Sequence, residues 1–320
     1  MLLAGNLRNP SWRHRGRRAR HFEAGASSGP MHVTMSCSLP PEILDLVVDH
    51  LHDKLTTLRA CCLVSKSWVP RSRIHLFAHV KLVYASVESW MKTFPDPLNS
   101  PAHHTRALTI RDPHLIAVAG PVVAHRICAF PFHNLVNLSI HSQSNGSSGD
   151  RISLVPFHGL SPTIRSLHLA LSHARYSEVF GLMCSFPLLE DFALLLLGHA
   201  NGVDEWTPLS TSPRLTGSLE LRSVIEGIVP ITRLLLDLPN GLNFTKIVLS
   251  CLDDGRNFKS ITDLVSECSG TLESLDVSDC FPGKFPSFPA PDLHLITALS
   301  SVHGDLVQPL DGNETQTLGI

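Results

Sequence analysis

A short apolar pattern that returns every 25 to 30 residues constrains this 320-residue chain more than any other feature of its sequence. Each copy reads apolar–x–x–apolar–x–apolar, with threonine in the first place of two copies, TRALTI at 105–110 and the looser TGSLEL at 216–221. Apolar residues at alternate positions are typical of a strand with one buried face, so each copy predicts a short β-strand. The central residues of the copies are Leu108, Leu138, Leu167, Phe192, Leu219, Ile247 and Leu275.

Helix-like stretches lie between several of these strands. They occur at 115–130, 176–186, 225–238 and 258–268. One strand and one helix in 25 to 30 residues cannot bury their own apolar faces, so successive units must stack on one another. We therefore predict an α/β solenoid with a curved parallel sheet over residues 105–280. An ordinary α/β domain with parallel strands is the alternative.

The pattern resembles the leucine-rich repeat. In that family an asparagine or cysteine follows the apolar positions and forms a ladder between repeats. Only Cys280 matches here, because Gln143, Ser172, Leu197 and Leu252 stand at the corresponding positions. The resemblance implies a solenoid whose strands line a concave face.

Polar residues between the buried leucines are expected on that concave face, and they are our candidates for binding a target protein. Those of the first three repeats are mostly basic and the later ones mostly acidic, a polarity that would orient a partner. A polar face that is merely solvated is the alternative. The candidates are Arg111, His141, Arg165, His168, Glu190, Glu220, Arg222 and Asp276.

A segment near the start of the chain, residues 38–68, concentrates Leu, Val and Cys but is too short and too interrupted to span a membrane. Its apolar spacing after two prolines predicts helices at about 41–51, 55–63 and 66–77. Three such short helices cannot bury all of their apolar surface among themselves. An apolar face that needs a partner is therefore expected.

Two motifs in this segment, LPPEIL at 39–44 and LVSKSW at 63–68, resemble the F-box in the form common among fungal proteins, and the resemblance covers about residues 37–80. F-boxes dock on the Skp-type adaptor of cullin-RING ubiquitin ligases, so the resemblance implies a Skp-type adaptor partner and, through it, a cullin. Trp68 is expected to be buried between the helices. The adaptor-binding residues that the resemblance implies are Leu39, Pro40, Ile43, Leu44, Val64 and Ser65.

The rest of the chain divides by composition. Residues 1–36 form a basic leader, which we predict to be disordered because it has no apolar periodicity. Residues 81–104 are predicted to form a helical linker between the F-box-like segment and the solenoid. Residues 281–320 are proline-rich and then polar, and are predicted to form an irregular tail.

No pattern in the sequence points to catalysis. The net charge of −2 gives no bias towards nucleic acid or a membrane, and the eight cysteines, without C-x-x-C spacing, are typical of reduced residues in a cytoplasmic or nuclear protein. The serine-hydrolase pattern G-x-S-x-G occurs at 25–29, within the leader rather than between a strand and a helix. We therefore predict a non-catalytic protein without cofactor or metal.

These features lead us to expect the substrate-receptor subunit of a Skp–cullin–F-box type ubiquitin ligase, in which the helices dock the adaptor and the solenoid binds a target protein. The alternative is a non-degradative interaction scaffold whose F-box-like helices cap the repeat domain. Co-purification with a Skp-type adaptor separates the two hypotheses.

Overall fold

The structure, a computed structural model, describes residues 40–111, 120–142, 153–172, 175–196, 213–223, 229–251 and 258–278. Within these ranges eight parallel strands form one sheet, and eight α-helices accompany it. The strands follow one another in the sheet in chain order, and the sheet is not closed into a barrel. The predicted α/β class and the solenoid-like stacking of parallel strands are therefore confirmed.

The helices are α1 (Pro41–His50), α2 (Leu55–Val64), α3 (Val69–Leu76), α4 (Tyr84–Thr93), α5 (Gly120–Cys128), α6 (Tyr176–Cys184), α7 (Val229–Leu236) and α8 (Phe258–Glu267). The strands are β1 (His79–Leu82), β2 (Ala107–Arg111), β3 (Asn137–Ser142), β4 (Ser166–Leu171), β5 (Asp191–Leu196), β6 (Ser218–Ser223), β7 (Lys246–Cys251) and β8 (Ser274–Ser278). Short 3-10 helices lie at Pro97–Asn99, Pro101–His104 and Val155–Gly159.

The register of the sheet places the seven predicted central residues in one continuous row. Leu108 lies beside Leu138, and the row continues without a shift to Leu275 in β8. The apolar residue two positions later in each strand forms a second row, which begins with Ile110 and Ile140. Because side chains alternate between the two faces of a strand, both rows point to the same side, where the helices pack.

One apolar core runs along this side of the sheet from β1 to α8. Aromatic residues from the connecting segments fill it, among them Phe132, Phe157 and Phe186, which are all fully buried. Strands β1 to β7 each supply only two or three side chains to the core, so every unit is covered by its neighbours rather than by itself.

Backbone hydrogen bonds join successive repeats just before each strand. The carbonyl of Arg106 accepts from the amides of Val136 and Asn137, at 2.8 and 2.9 Å. The carbonyl of Val136 accepts in the same way from Arg165 and Ser166, at 2.8 and 3.1 Å. This paired contact extends the sheet hydrogen bonding by one residue and holds the repeats in register.

Hydroxyl groups supply further bonds between repeats in place of an asparagine ladder. Thr163 Oγ1 donates to the carbonyl of Leu135 at 2.8 Å, and Thr271 Oγ1 donates to that of Phe244 at 3.1 Å. At the ladder position itself, Ser172 Oγ donates to the carbonyl of Ser142 at 3.2 Å. Serine and threonine thus give carbonyls of the neighbouring repeat a side-chain donor.

Strand β1 was not predicted from the sequence, where its residues were divided between the F-box-like segment and the helical linker. Val80 lies beside Leu108 and Leu82 beside Ile110, and both side chains are buried in the core. Because β1 begins only three residues after α3 ends, the N-terminal helices continue directly into the first strand of the sheet. Helix α4 and two 3-10 helices follow within residues 84–104.

The three N-terminal helices lie where they were predicted, except that α3 begins at Val69 rather than near residue 66. Ser65 starts a turn instead, because its carbonyl accepts from the amide of Trp68 at 3.2 Å and its Oγ accepts from that of Ser67 at 3.3 Å. The expectation that Trp68 is buried is wrong, since this side chain is partly exposed at the start of α3.

Helix α3 holds the N-terminal helices together and joins them to the sheet. It packs against α1 and α2 and also contacts the 3-10 helix Pro101–His104. Val48, Leu58 and Cys61 are buried among the N-terminal helices but are not part of the core along the sheet. We call residues 40–77 the helical module.

Candidate functional site

The face of the sheet opposite the helices carries six of the eight residues that were predicted to bind a target, whereas Arg165 and Glu190 lie just before β4 and β5. The register aligns these six in rows across the strands. One row is Lys81, Thr109, Ser139, His168, Ala193, Glu220, Val248 and Asp276. The neighbouring row is Arg111, His141, Ala170, Leu195, Arg222, Ser250 and Ser278.

Two of the predicted residues, His141 and His168, meet on this open face. Their ring centroids are 5.1 Å apart and the rings are T-shaped. Burial lowers the pKa of His141 to about 4, helped by His168, Arg111 and Lys81. Burial also lowers the pKa of His168, although Glu220 opposes this shift. Both imidazoles are therefore uncharged at neutral pH and can each donate one hydrogen bond.

Lys81 and Arg111 flank the two histidines and are exposed. Among the described residues, no carboxylate lies within ion-pair distance of either side chain. We call Lys81, Arg111, His141 and His168 the basic cluster. Lys81 was not among the predicted site residues because it lies in the strand that was missed, where the only signal is the alternation in His79–Leu82.

Four other candidates are paired with one another. Arg165 donates to Glu190 at 2.6 Å at the edge of the sheet where the strands begin, and Arg222 lies 2.6 Å from Glu220 on the open face. These pairs reduce the local charge on the later strands. The last candidate, Asp276, is exposed on β8, four strands away from His168.

The candidates for adaptor binding lie mainly on exposed parts of the helical module. Leu39 is outside the described residues. Pro40 is exposed, and its carbonyl accepts the first hydrogen bonds of α1, from Ile43 at 3.0 Å and Leu44 at 3.2 Å. Leu44 and Ser65 are partly buried, whereas Ile43 is 44% exposed and Val64 is 70% exposed.

Three further apolar side chains of the module are exposed and were not among the predicted site residues. Leu46 is 64% exposed, Val47 is 44% exposed and Leu63 is 89% exposed. With Ile43 and Val64 they make up five of the ten exposed large apolar residues in the described part of the chain. We call these five residues the exposed apolar set of α1 and α2.

A small cleft of about 280 Å³ separates α3 from the 3-10 helices that follow α4. His103 and His104 line it, with ring centroids 3.8 Å apart, and burial lowers the pKa of His104.

Across the described residues, no three His, Cys, Asp or Glu side chains are grouped as metal ligands would be. None of the described helices is long and apolar enough to cross a membrane.

Cys128 is partly buried and Cys184 is buried, and both thiols are poor nucleophiles. Burial raises the pKa of Cys128 to about 12 and that of Cys184 to about 11, so both remain thiols at neutral pH.

No protein-family model matches the chain, and no curated protein matches it either. The open sheet face offers exposed cations, and the exposed apolar set offers apolar surface, to another molecule.

Proposed function

We propose that this chain is the substrate-receptor subunit of a Skp–cullin–F-box type ubiquitin ligase. In this proposal the helical module docks a Skp-type adaptor, which connects it to a cullin, and the open sheet face binds a target protein. The observation that carries the proposal is the exposed apolar set of α1 and α2, three of whose members, Ile43, Leu63 and Val64, lie within the two motifs that resemble the F-box.

Apolar side chains that are left in water favour association. Burying one Val, Leu or Ile side chain contributes about 1.5–3 kcal/mol, and apolar anchors at the centre of an interface often cost about 2 kcal/mol or more when truncated. Leu63 and Val64 lie at the end of α2 with little contact to the rest of the chain. A partner that covers them therefore gains binding energy without any change in the packing of the module.

The contribution of such a subunit is positional. A receptor that holds a target beside the ligase raises the effective concentration of the target's lysine near an activated ubiquitin. No catalytic residue is needed in this chain, and the proposed place of action is the cytoplasm, the nucleus or both.

The test uses the full chain and a purified Skp-type adaptor. Wild type should bind the adaptor with near-equal stoichiometry. A Leu63→Ala, Val64→Ala double variant should weaken binding at least about tenfold, because tenfold corresponds to about 1.4 kcal/mol. Its melting temperature should stay unchanged, because both side chains are exposed.

Leu98→Ala is the matched control. Leu98 is 80% exposed on a 3-10 helix outside the module, so its truncation should affect neither adaptor binding nor melting. Docking through the exposed apolar set would be ruled out if the adaptor did not bind wild type, or if it bound the double variant and wild type with equal affinity.

A scaffold in which the helices only cap the repeats is a second candidate. It is favoured by the contact of α3 with the 3-10 helix Pro101–His104 and by the direct continuation of α3 into β1. A cap has no need of exposed apolar residues on α1 and α2. Wild type that remains monomeric and adaptor-free would favour the scaffold.

A further inference from the structure

We propose that the basic cluster on β1–β4 binds a short acidic segment of a target protein, in extended conformation, through carboxylate groups. The proposal rests on the proposed function and deepens it, because it names the chemistry of the target. The observation behind it is the juxtaposition of Lys81, Arg111, His141 and His168 on neighbouring strands of the open face.

The charges on the open face favour an anion at this end of the sheet. Lys81 and Arg111 are exposed, and no described carboxylate pairs with them. Arg222, by contrast, is engaged by Glu220 on β6. Lys246 on β7 is also exposed, but the strands on either side of it carry Glu220 and Asp276. Attraction for a carboxylate is therefore strongest over the first three strands, where Arg111 can also bind in a bidentate manner.

The two histidines add recognition without adding charge. They are partly buried and form a T-shaped pair. His141 lies beside Arg111 in one row of the open face, and His168 lies in the row that continues to Glu220. A neutral imidazole donates through one ring nitrogen, so each ring can offer one N–H to a carboxylate oxygen. Partial burial strengthens such a bond, since fewer water molecules compete for it.

The dimensions of the sheet limit the length of the acidic stretch. Strands in a sheet lie about 4.8 Å apart, so the distance from β1 to β4 is about 14 Å, and an extended peptide covers that distance in about four residues. Beyond β5 the row that contains Lys81 and His168 carries Glu220 and then Asp276. Arg222 offsets the charge of Glu220, whereas Asp276 is exposed and repels a longer polyanion, so acidic residues should be confined to about four consecutive positions.

The experiment selects peptides from a phage-displayed library of random decapeptides on the folded full chain. Peptides recovered on wild type should be enriched in Asp and Glu over the starting library, with the acidic residues grouped. The enrichment should vanish on a Lys81→Gln, Arg111→Gln double variant. Both residues are exposed, so this variant should melt like wild type.

One recovered peptide then serves as the probe in fluorescence anisotropy. Arg111→Gln should weaken its binding about tenfold, the usual consequence of losing one hydrogen bond between charged groups. Arg126→Gln removes the same charge from an exposed position on α5, on the helical side of the sheet, and should leave the affinity unchanged. Replacing the acidic residues of the peptide by Asn and Gln should abolish binding.

Three outcomes would overturn the proposal. They are recovered peptides with no acidic enrichment, equal weakening by Arg111→Gln and Arg126→Gln, and tighter binding of a single-stranded oligouridylate than of the peptide. Adaptor binding is measured on the same protein samples. Loss of acid selectivity with normal adaptor binding would refute this inference alone, whereas a wild type without adaptor binding would refute the proposed function.

Discussion

Gly217 shows how closely two repeats approach each other at the start of a strand. A Cβ at this position would overlap Asp191 Oδ1 and would lie 3.1 Å from the carbonyl oxygen of Glu190. The carboxylate of Asp191 cannot move away freely, because it accepts from Ser218 N at 2.7 Å and Ser218 Oγ at 2.8 Å. Glycine is therefore required here by a close approach between repeats.

Gly217→Ala should lower the free energy of unfolding by about 1–3 kcal/mol, the usual cost of inserting a methyl group into a tightly packed site. Gly159→Ala is the control, because a Cβ there meets nothing within 4 Å. Urea unfolding of both variants checks this prediction. Equal stability of the two variants would mean that the contact between Gly217 and Asp191 relaxes at no cost.

Helices α1 and α3 are joined by one carboxylate. Asp49 accepts from Arg71 Nε and Nη2, both at 2.5 Å, and lies 2.8 Å from His75 Nε2. The hydrogen bond from Arg71 holds the pKa of Asp49 well below its usual value of 3.8, and that from His75 lowers it further. Because the side chains are partly exposed, solvent screens much of this interaction.

Asp49→Asn should destabilise the module by about 1 kcal/mol, the upper end for a partly exposed ion pair. The folded-state pKa of Asp49 is depressed, so its contribution is complete above the unfolded pKa of about 4 and is lost as the pH falls further. The melting-temperature difference between wild type and Asp49→Asn should thus be present at pH 5 and shrink below pH of about 4.

Asp53→Asn is the control for this prediction. Asp53 is an exposed carboxylate just after α1, and its replacement should leave the melting temperature at pH 5 unchanged. A destabilisation by Asp49→Asn that is the same at pH 3 and pH 5 would argue against the ion pair as its cause.

At the scale of the whole molecule, two apolar clusters meet at a narrow junction. The core along the sheet runs from Val80 to Cys268, whereas Val48, Leu58 and Cys61 form no part of it. Phe77 lies at the junction and packs edge-on against Trp90, with ring centroids 5.8 Å apart. The helical module and the sheet can therefore lose their packing separately.

Hydrogen exchange followed by mass spectrometry tests this separation. Leu58→Ala should remove about 2–5 kcal/mol from the module and raise amide exchange in the module only. Leu167→Ala, at an equally buried position in the middle of the sheet, should raise exchange in the strands and leave α1 and α2 unchanged. Exchange that rises throughout the chain in either variant would indicate a single cooperative unit.

The repeat was readable from the sequence because its cause is local. Alternation of apolar residues determines which side of a strand is buried, and the spacing of about 28 residues leaves enough chain for the helical crossover that a parallel connection needs. The burial of the central residues, from Leu108 in β2 to Ile247 in β7, is the direct consequence, and the helices between the strands follow from the same reasoning. The apolar spacing near the start of the chain likewise predicted α1 and α2 within one residue.

Contacts between distant residues were decided only by the tertiary structure. His79–Leu82 is too short to carry the repeat pattern, and it is a strand because Val80 and Leu82 complete the edge of the core beside Leu108 and Ile110. The side chains of the basic cluster come from strands up to 87 positions apart, Lys81 to His168, and meet because the strands align without a shift. Which cations are paired, as Arg165 is with Glu190, depends in the same way on register. Local periodicity specifies which face each residue occupies, whereas register results from the packing of the whole sheet, so only the fold determines which charges become neighbours.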